Sequence, residues 1–231
     1  MIMLGRLLRT VGATAMLVAG AAATANAEEV VRIGGGLAML NLPAGKPTAG
    51  LVLLPGGDGH IGIDESGGIR RQVNWIVRTR ASYRGARMAS LLLDAGVGVG
   101  QAMDVMRRRT GRVVLVAMSR GSLKVPGALA QRPSGVVFAS SMLSAVRGSL
   151  GSPSALPPTL IVHHRRDECR VTHADDVAPF QQWAGGKVRV RWIDGGAEPR
   201  GRRCGPRHYH GFVGREGAVV AAIVAFARTL R

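Results

Sequence analysis

The apolar residues of this chain gather in short runs, at 50–54, 88–93, 112–118, 135–139 and 159–164, and VRVRWI at 188–193 reads as a further strand. Runs of that length without period-two alternation predict strands buried on both faces, as in a parallel sheet covered by helices. Between the runs the pattern turns helical. Residues 69–80 set Val73, Ile76 and Val77 at helical spacing with arginines opposite, and 99–109 turn Met103 and Met106 inward. A further helix is predicted over 173–183, and 213–230 closes the chain with Val220, Ile223, Val224 and Phe226 on one helix. Residues 28–43 hold two short runs around Gly34, Gly35 and Gly36, which predicts two edge strands joined by a glycine turn. With no repeat or low-complexity linker, the order predicts one α/β domain over 28–231, its mostly parallel central sheet covered by helices on both faces.

The run at 112–118 stops at a serine between small residues, AMSRG, and the chain continues as SLKVPGALAQ. Strand, sharp turn and helix in that order make a nucleophile elbow, which lifts the hydroxyl of Ser119 clear of the sheet. Gly121 suits the tight turn, whereas Ala117 stands where such elbows usually carry glycine. Pro126, early in the following helix, predicts a short or kinked one.

Composition adds a compartment. The first residues carry Arg6 and Arg9 without an acid, an apolar run covers 11–23, and Ala25-Asn26-Ala27 is a small-x-small cleavage site. Residues 1–27 therefore read as a signal peptide, with an uncleaved anchor as the alternative, and the mature chain is expected to be periplasmic or secreted and free of the membrane. The formal charge of +17 falls to +15 without Arg6 and Arg9. The basic residues are mostly arginine spread along the chain, and with only 4% aromatics they lack the stacking residues of single-strand binders. A solvated basic surface is expected, not specific nucleic-acid binding.

Ligands of a parallel sheet sit beyond the carboxyl ends of its strands. After 50–54 comes Pro55-Gly56-Gly57-Asp58-Gly59; after 112–118, Ser119; after 159–164, Asp167; after 188–193, His210. Serine, acid, histidine is the chain order of α/β-hydrolase triads. Together LVLLPGG, AMSRG, IVHHRRDECRVT and CGPRHYHGF resemble the small, dienelactone-hydrolase-like α/β-hydrolases, particularly exported bacterial members with two cysteines, over nearly all of the mature chain. The resemblance implies the hydrolase fold and mechanism. It does not carry over the substrate, since dienelactone hydrolases have cysteine where this chain has Ser119.

In that mechanism Ser119 is the nucleophile, His210 its base and Asp167 the acid that orients the imidazole. The backbone N–H groups of Gly57 and Arg120 form the oxyanion hole. Asp194 is the alternative acid and His208 the alternative base; His163 and His164 read as packing, and His60 as loop surface. Cys169 beside the acid and Cys204 before the base predict a disulfide between the two loops. No metal or other cofactor is expected. The Ser-, Gly- and Pro-containing path from Met142 to Thr159, with 148–158 read as loop, is too short for a helical cap with its own core, so the cleft should be open and suited to a small-molecule acyl substrate. A hydrolase-fold protein that binds a ligand without catalysis is the alternative function.

Overall fold

A computed structural model describes residues 28–230; the expected leader over 1–27 lies outside the described residues. The strands are β1 (Glu28–Ile33), β2 (Gly36–Asn41), β3 (Ala49–Leu54), β4 (Met88–Leu93), β5 (Val113–Met118), β6 (Gly135–Ala139), β7 (Thr159–His164) and β8 (Val188–Ile193). They form one sheet in the order β1-β2-β4-β3-β5-β6-β7-β8. The β1–β2 hairpin joins it antiparallel, and all later pairings are parallel.

The helices are α1 (Trp75–Arg78), α2 (Val99–Arg107), α3 (Val125–Ala128), α4 (Leu143–Leu150), α5 (Val177–Ala184) and α6 (Glu216–Thr229). They divide between the faces, and β5 shows why the sheet needs both layers. Val113, Leu115 and Ala117 point to the layer holding Met103, Met106, Leu143 and Phe180, while Val114, Val116 and Met118 point to the layer of Trp75, Ile223 and Phe226. A strand buried on two sides has no polar position to alternate with.

Some local expectations change. Over 69–80 only Trp75–Arg78 is helical, capped by Asn74, whose side chain accepts the Ile76 N–H. Residues 69–71 instead pair with the preceding loop: Ile63 bridges Ile69, and the N–H groups of Arg70 and Arg71 donate to Gly62 and Ile61. Val73 is consequently exposed. The segment after Met142 forms α4, longer than a loop reading of 148–158 allows; Leu143 and Val146 are buried in the core, so α4 is a crossover helix and not a cap. The helix after Ser119 is interrupted, a 3-10 turn (Ser119–Lys124) followed by the four residues of α3 with Pro126 in its first turn.

β8 ends the sheet. Its Val188 and Ile193 are buried while Arg189 and Arg191 stand exposed, and its outer edge pairs with no strand among the described residues. The carboxyl ends of β3, β4, β5, β7 and β8 all open on the same side, where the candidate residues gather.

Candidate active site

Ser119 has φ +51°, a left-handed conformation that an L-residue adopts at a cost of order 1–3 kcal/mol and that recurs at functional turns. The turn closes because Gly121 presses its backbone on the end of β3: a Cβ there would lie 2.4 Å from the Leu54 carbonyl oxygen and 2.6 Å from that of Pro55. Ala117, by contrast, is an ordinary strand residue whose methyl is buried in the core, so no steric penalty attaches to it. Ser122 and Ser141 fasten the elbow from below, Ser122 Oγ donating to the Ser119 carbonyl (2.6 Å) and Ser141 Oγ to that of Ala117 (3.1 Å).

Asp167 follows β7 and is buried. Its Oδ1 accepts the Cys169 N–H (2.9 Å), and its Oδ2 lies 3.1 Å from His210 Nδ1 and 3.2 Å from Thr172 Oγ1. Thr172 Oγ1 is also 3.1 Å from His210 Nδ1, so the hydroxyl braces acid and imidazole together. His163, wholly buried with both ring nitrogens lacking a well-aligned partner, places Nε2 3.4 Å from the same carboxylate oxygen. Burial works against the charge of Asp167, but the close ring nitrogens of His163 and His210 outweigh it and hold the carboxyl well below the usual carboxylate range.

The alternatives fall elsewhere. Asp194 is exposed and paired with Arg165 at 3.2 Å, and His208 meets the edge of Tyr209 rather than a carboxylate. His164 is held by two backbone groups: its Nδ1 accepts the Arg166 N–H (3.1 Å), so Nε2–H donates to the Gly195 carbonyl (2.9 Å). It stacks on Tyr209 at 4.5 Å, fixing the residue before His210. Burial pushes the His164 imidazole below its ordinary value.

The Cys169–Cys204 disulfide is formed, joining the loop of Asp167 to the loop of His210. Ser119, His210, Gly56, Gly57 and Cys204 line one cleft of about 400 Å³. A Cβ on Gly56 would come 2.9 Å from that of Ser119, which measures how closely the β3 loop approaches the serine. Among the described residues the N–H groups of Gly57 and Arg120 donate to no acceptor, and Ser119 Oγ has no hydrogen-bond partner. One larger cavity lies at the opposite end of the sheet, around Pro158, Lys187 and Leu230, and another, of about 670 Å³, adjoins the cleft, with Gln72, Val73 and Pro206 lining both.

The fold has counterparts in known structures. A serine hydrolase without a lid from Xanthomonas campestris matches 88% of this chain and 95% of its own, with a TM-score of 0.62 and 12% identity. The chain has the α/β-hydrolase fold. An α/β serine hydrolase homologue from Coxiella burnetii matches at 16% identity and a TM-score of 0.59, over 87% of this chain and 96% of that one. The esterase domain of a Rhodothermus marinus protein matches at 11% identity and a TM-score of 0.62, over 88% and 98%. No protein-family model and no curated protein matches the sequence.

Within the α/β-hydrolase fold, two groups beyond the predicted set stand at the cleft or just behind it. Asp94, directly after β4, is buried and accepts the N–H groups of Ile61 (2.7 Å), Ile63 (2.7 Å) and Ala95 (2.8 Å), pinning the loop that carries Gly57. His60, read from sequence as loop surface, lines the cleft with Ser119. The rule that yielded Asp167, an acid just past a strand end, applies to Asp94 as well; the aperiodic loop it holds gave no signal.

Proposed function

We propose that this protein is an exported serine hydrolase that cleaves small esters or related acyl compounds through an acyl-enzyme. The observation that carries the reading is the convergence on one cleft of Ser119, on a left-handed turn, and His210, backed by the buried Asp167. A neutral imidazole at His210 takes the proton of the Ser119 hydroxyl as it attacks the substrate carbonyl, and returns it to the leaving group. Asp167 holds the proton on Nδ1, so that Nε2 is the basic edge, and stabilises the imidazolium. The unengaged N–H groups of Gly57 and Arg120 are the donors for the oxyanion. Ser119 Oγ and His210 come into hydrogen-bond contact when substrate is bound, as such pairs tighten on binding.

The Cys169–Cys204 bond supports an oxidising compartment, hence a periplasmic or secreted enzyme. With α4 packed into the core, no cap stands over Ser119 among the described residues, which favours short, water-soluble acyl groups over lipid chains. The partner is a small molecule, not a nucleic acid or a membrane.

A fluorophosphonate probe tests this without knowledge of the substrate. Purified protein takes up the label at Ser119 and the Ser119→Ala variant does not; labelling that survives the substitution, or a folded protein that takes none, sinks the reading and leaves a ligand-binding protein on a hydrolase scaffold. On p-nitrophenyl esters the rate is expected to fall from butyrate towards palmitate without a jump at an interface.

A further inference from the structure

Two histidines line the cleft around Ser119, and the proposed reaction uses one of them. The other, His60, has a carboxylate of its own. His60 Nδ1 stands 3.6 Å from Asp94 Oδ1, and while the His60 side chain is 50% exposed, that of Asp94 is 7% exposed. The backbone fixes both partners. The His60 N–H donates to Asp58 Oδ1 (3.0 Å), and Asp58 is itself held by Arg71 (2.7 Å). The next amides along the loop, of Ile61 and Ile63, donate to Asp94. These bonds fix the carboxylate and the backbone from which the ring projects.

A carboxylate beside Nδ1 favours the tautomer with the proton on that nitrogen. Nε2 is then an acceptor on the edge of the ring away from Asp94, on a side chain that lines the cleft. His60 also stands close to the reacting carbonyl in chain and in space. It lies three residues after Gly57, in a turn closed by the Gly59 N–H on the Gly56 carbonyl (3.3 Å), and Gly57 supplies an oxyanion donor in the proposed reaction.

We propose that His60 Nε2 accepts a hydrogen bond from the substrate, so that the cleft selects acyl groups bearing a hydroxyl near the scissile carbonyl. His60 is thus a specificity residue, and Asp94 positions it. The substrate class rests on the assignment of Ser119 as nucleophile; the tautomer does not.

Long-range proton–nitrogen spectra of the labelled full chain at pH 8, with His60 assigned by the signal lost in His60→Gln, test the tautomer. A proton on Nδ1 is expected, and one on Nε2 overturns the proposal. The second test compares p-nitrophenyl 3-hydroxybutyrate with p-nitrophenyl butyrate. The native protein should favour the hydroxy ester about tenfold in kcat/KM, the reach of one good hydrogen bond. That ratio should collapse towards one in His60→Phe and partly recover in His60→Gln. No preference in the native protein, or a preference that His60→Phe leaves intact, refutes it. If neither ester is turned over and Ser119 takes no label, the hydrolase reading has failed on its own. In that case the His60 signals, titrated with 3-hydroxybutyrate and with butyrate, decide: a shift with the first alone supports the proposal, and equal or absent shifts overturn it.

Discussion

Asp167 shows how much one side chain can organise. Its carboxylate touches an amide, a hydroxyl and two imidazoles, and is charged in the folded protein at a pH where a free carboxylate has taken up its proton. The sign for stability follows. A carboxyl depressed by folding contributes stability that is fully present above its unfolded value, near pH 4, and is lost as pH falls below it towards the folded value. Urea unfolding between pH 2 and 6 should therefore show a steeper loss on the acid side for the native protein than for Asp167→Asn. Thr172 offers a finer probe. Thr172→Val keeps the shape and removes the hydroxyl that braces Asp167 and His210, which costs about 1 kcal/mol in stability. It should also slow fluorophosphonate labelling of Ser119 several-fold, because the imidazole loses part of its orientation; an unchanged labelling rate would show that Thr172 only packs.

At the scale of elements, the strands were legible because burial on both faces forbids polar positions and leaves continuous apolar runs, as in VVLVAM of β5. The helix expected over 69–80 was not, because Val73 shares the spacing of Ile76 and Val77 while it lies in a turn between residues 69–71, paired with the loop before them, and the Asn74 cap. Ser119, Asp167, His210 and the cysteines were visible as residues that follow strands. His60 and Thr172 were not, since their partners are set by loops whose paths no periodicity encodes. The His210 loop is one such path. Gly211 lies so close to Pro206 that a Cβ would meet its carbonyl oxygen at 2.3 Å, and the buried Phe212, at φ +55°, packs edge-on against Trp75. The disulfide ties this loop to the acid loop across 35 residues, a closure worth about 4 kcal/mol in the chain-entropy model. Cys204→Ser should lower the melting temperature and slow Ser119 labelling together, while a loss of stability with labelling unchanged would show that the bond serves the fold alone.

For the molecule as a whole, the large positive charge is partly absorbed in packing. Arg165 lies over Trp192 at 5.1 Å and Arg166 over Tyr209 at 4.2 Å, so the cations nearest the acid loop act as flat hydrophobic surfaces as well as charges. The arginines of β8 do something else. A sheet that ends in an unpaired strand is a template on which a second molecule can add its own strand, and sheets can grow from there without limit. A second copy paired antiparallel on VRVRWI about Val190 would set Arg189 opposite Arg191 and Arg191 opposite Arg189, and like charges across the pair oppose the docking. Self-pairing at this edge is thus opposed by two side chains. The double variant Arg189→Thr, Arg191→Thr should scatter light increasingly with concentration where the native protein does not, and high salt, which screens the repulsion, should move the native protein in the same direction.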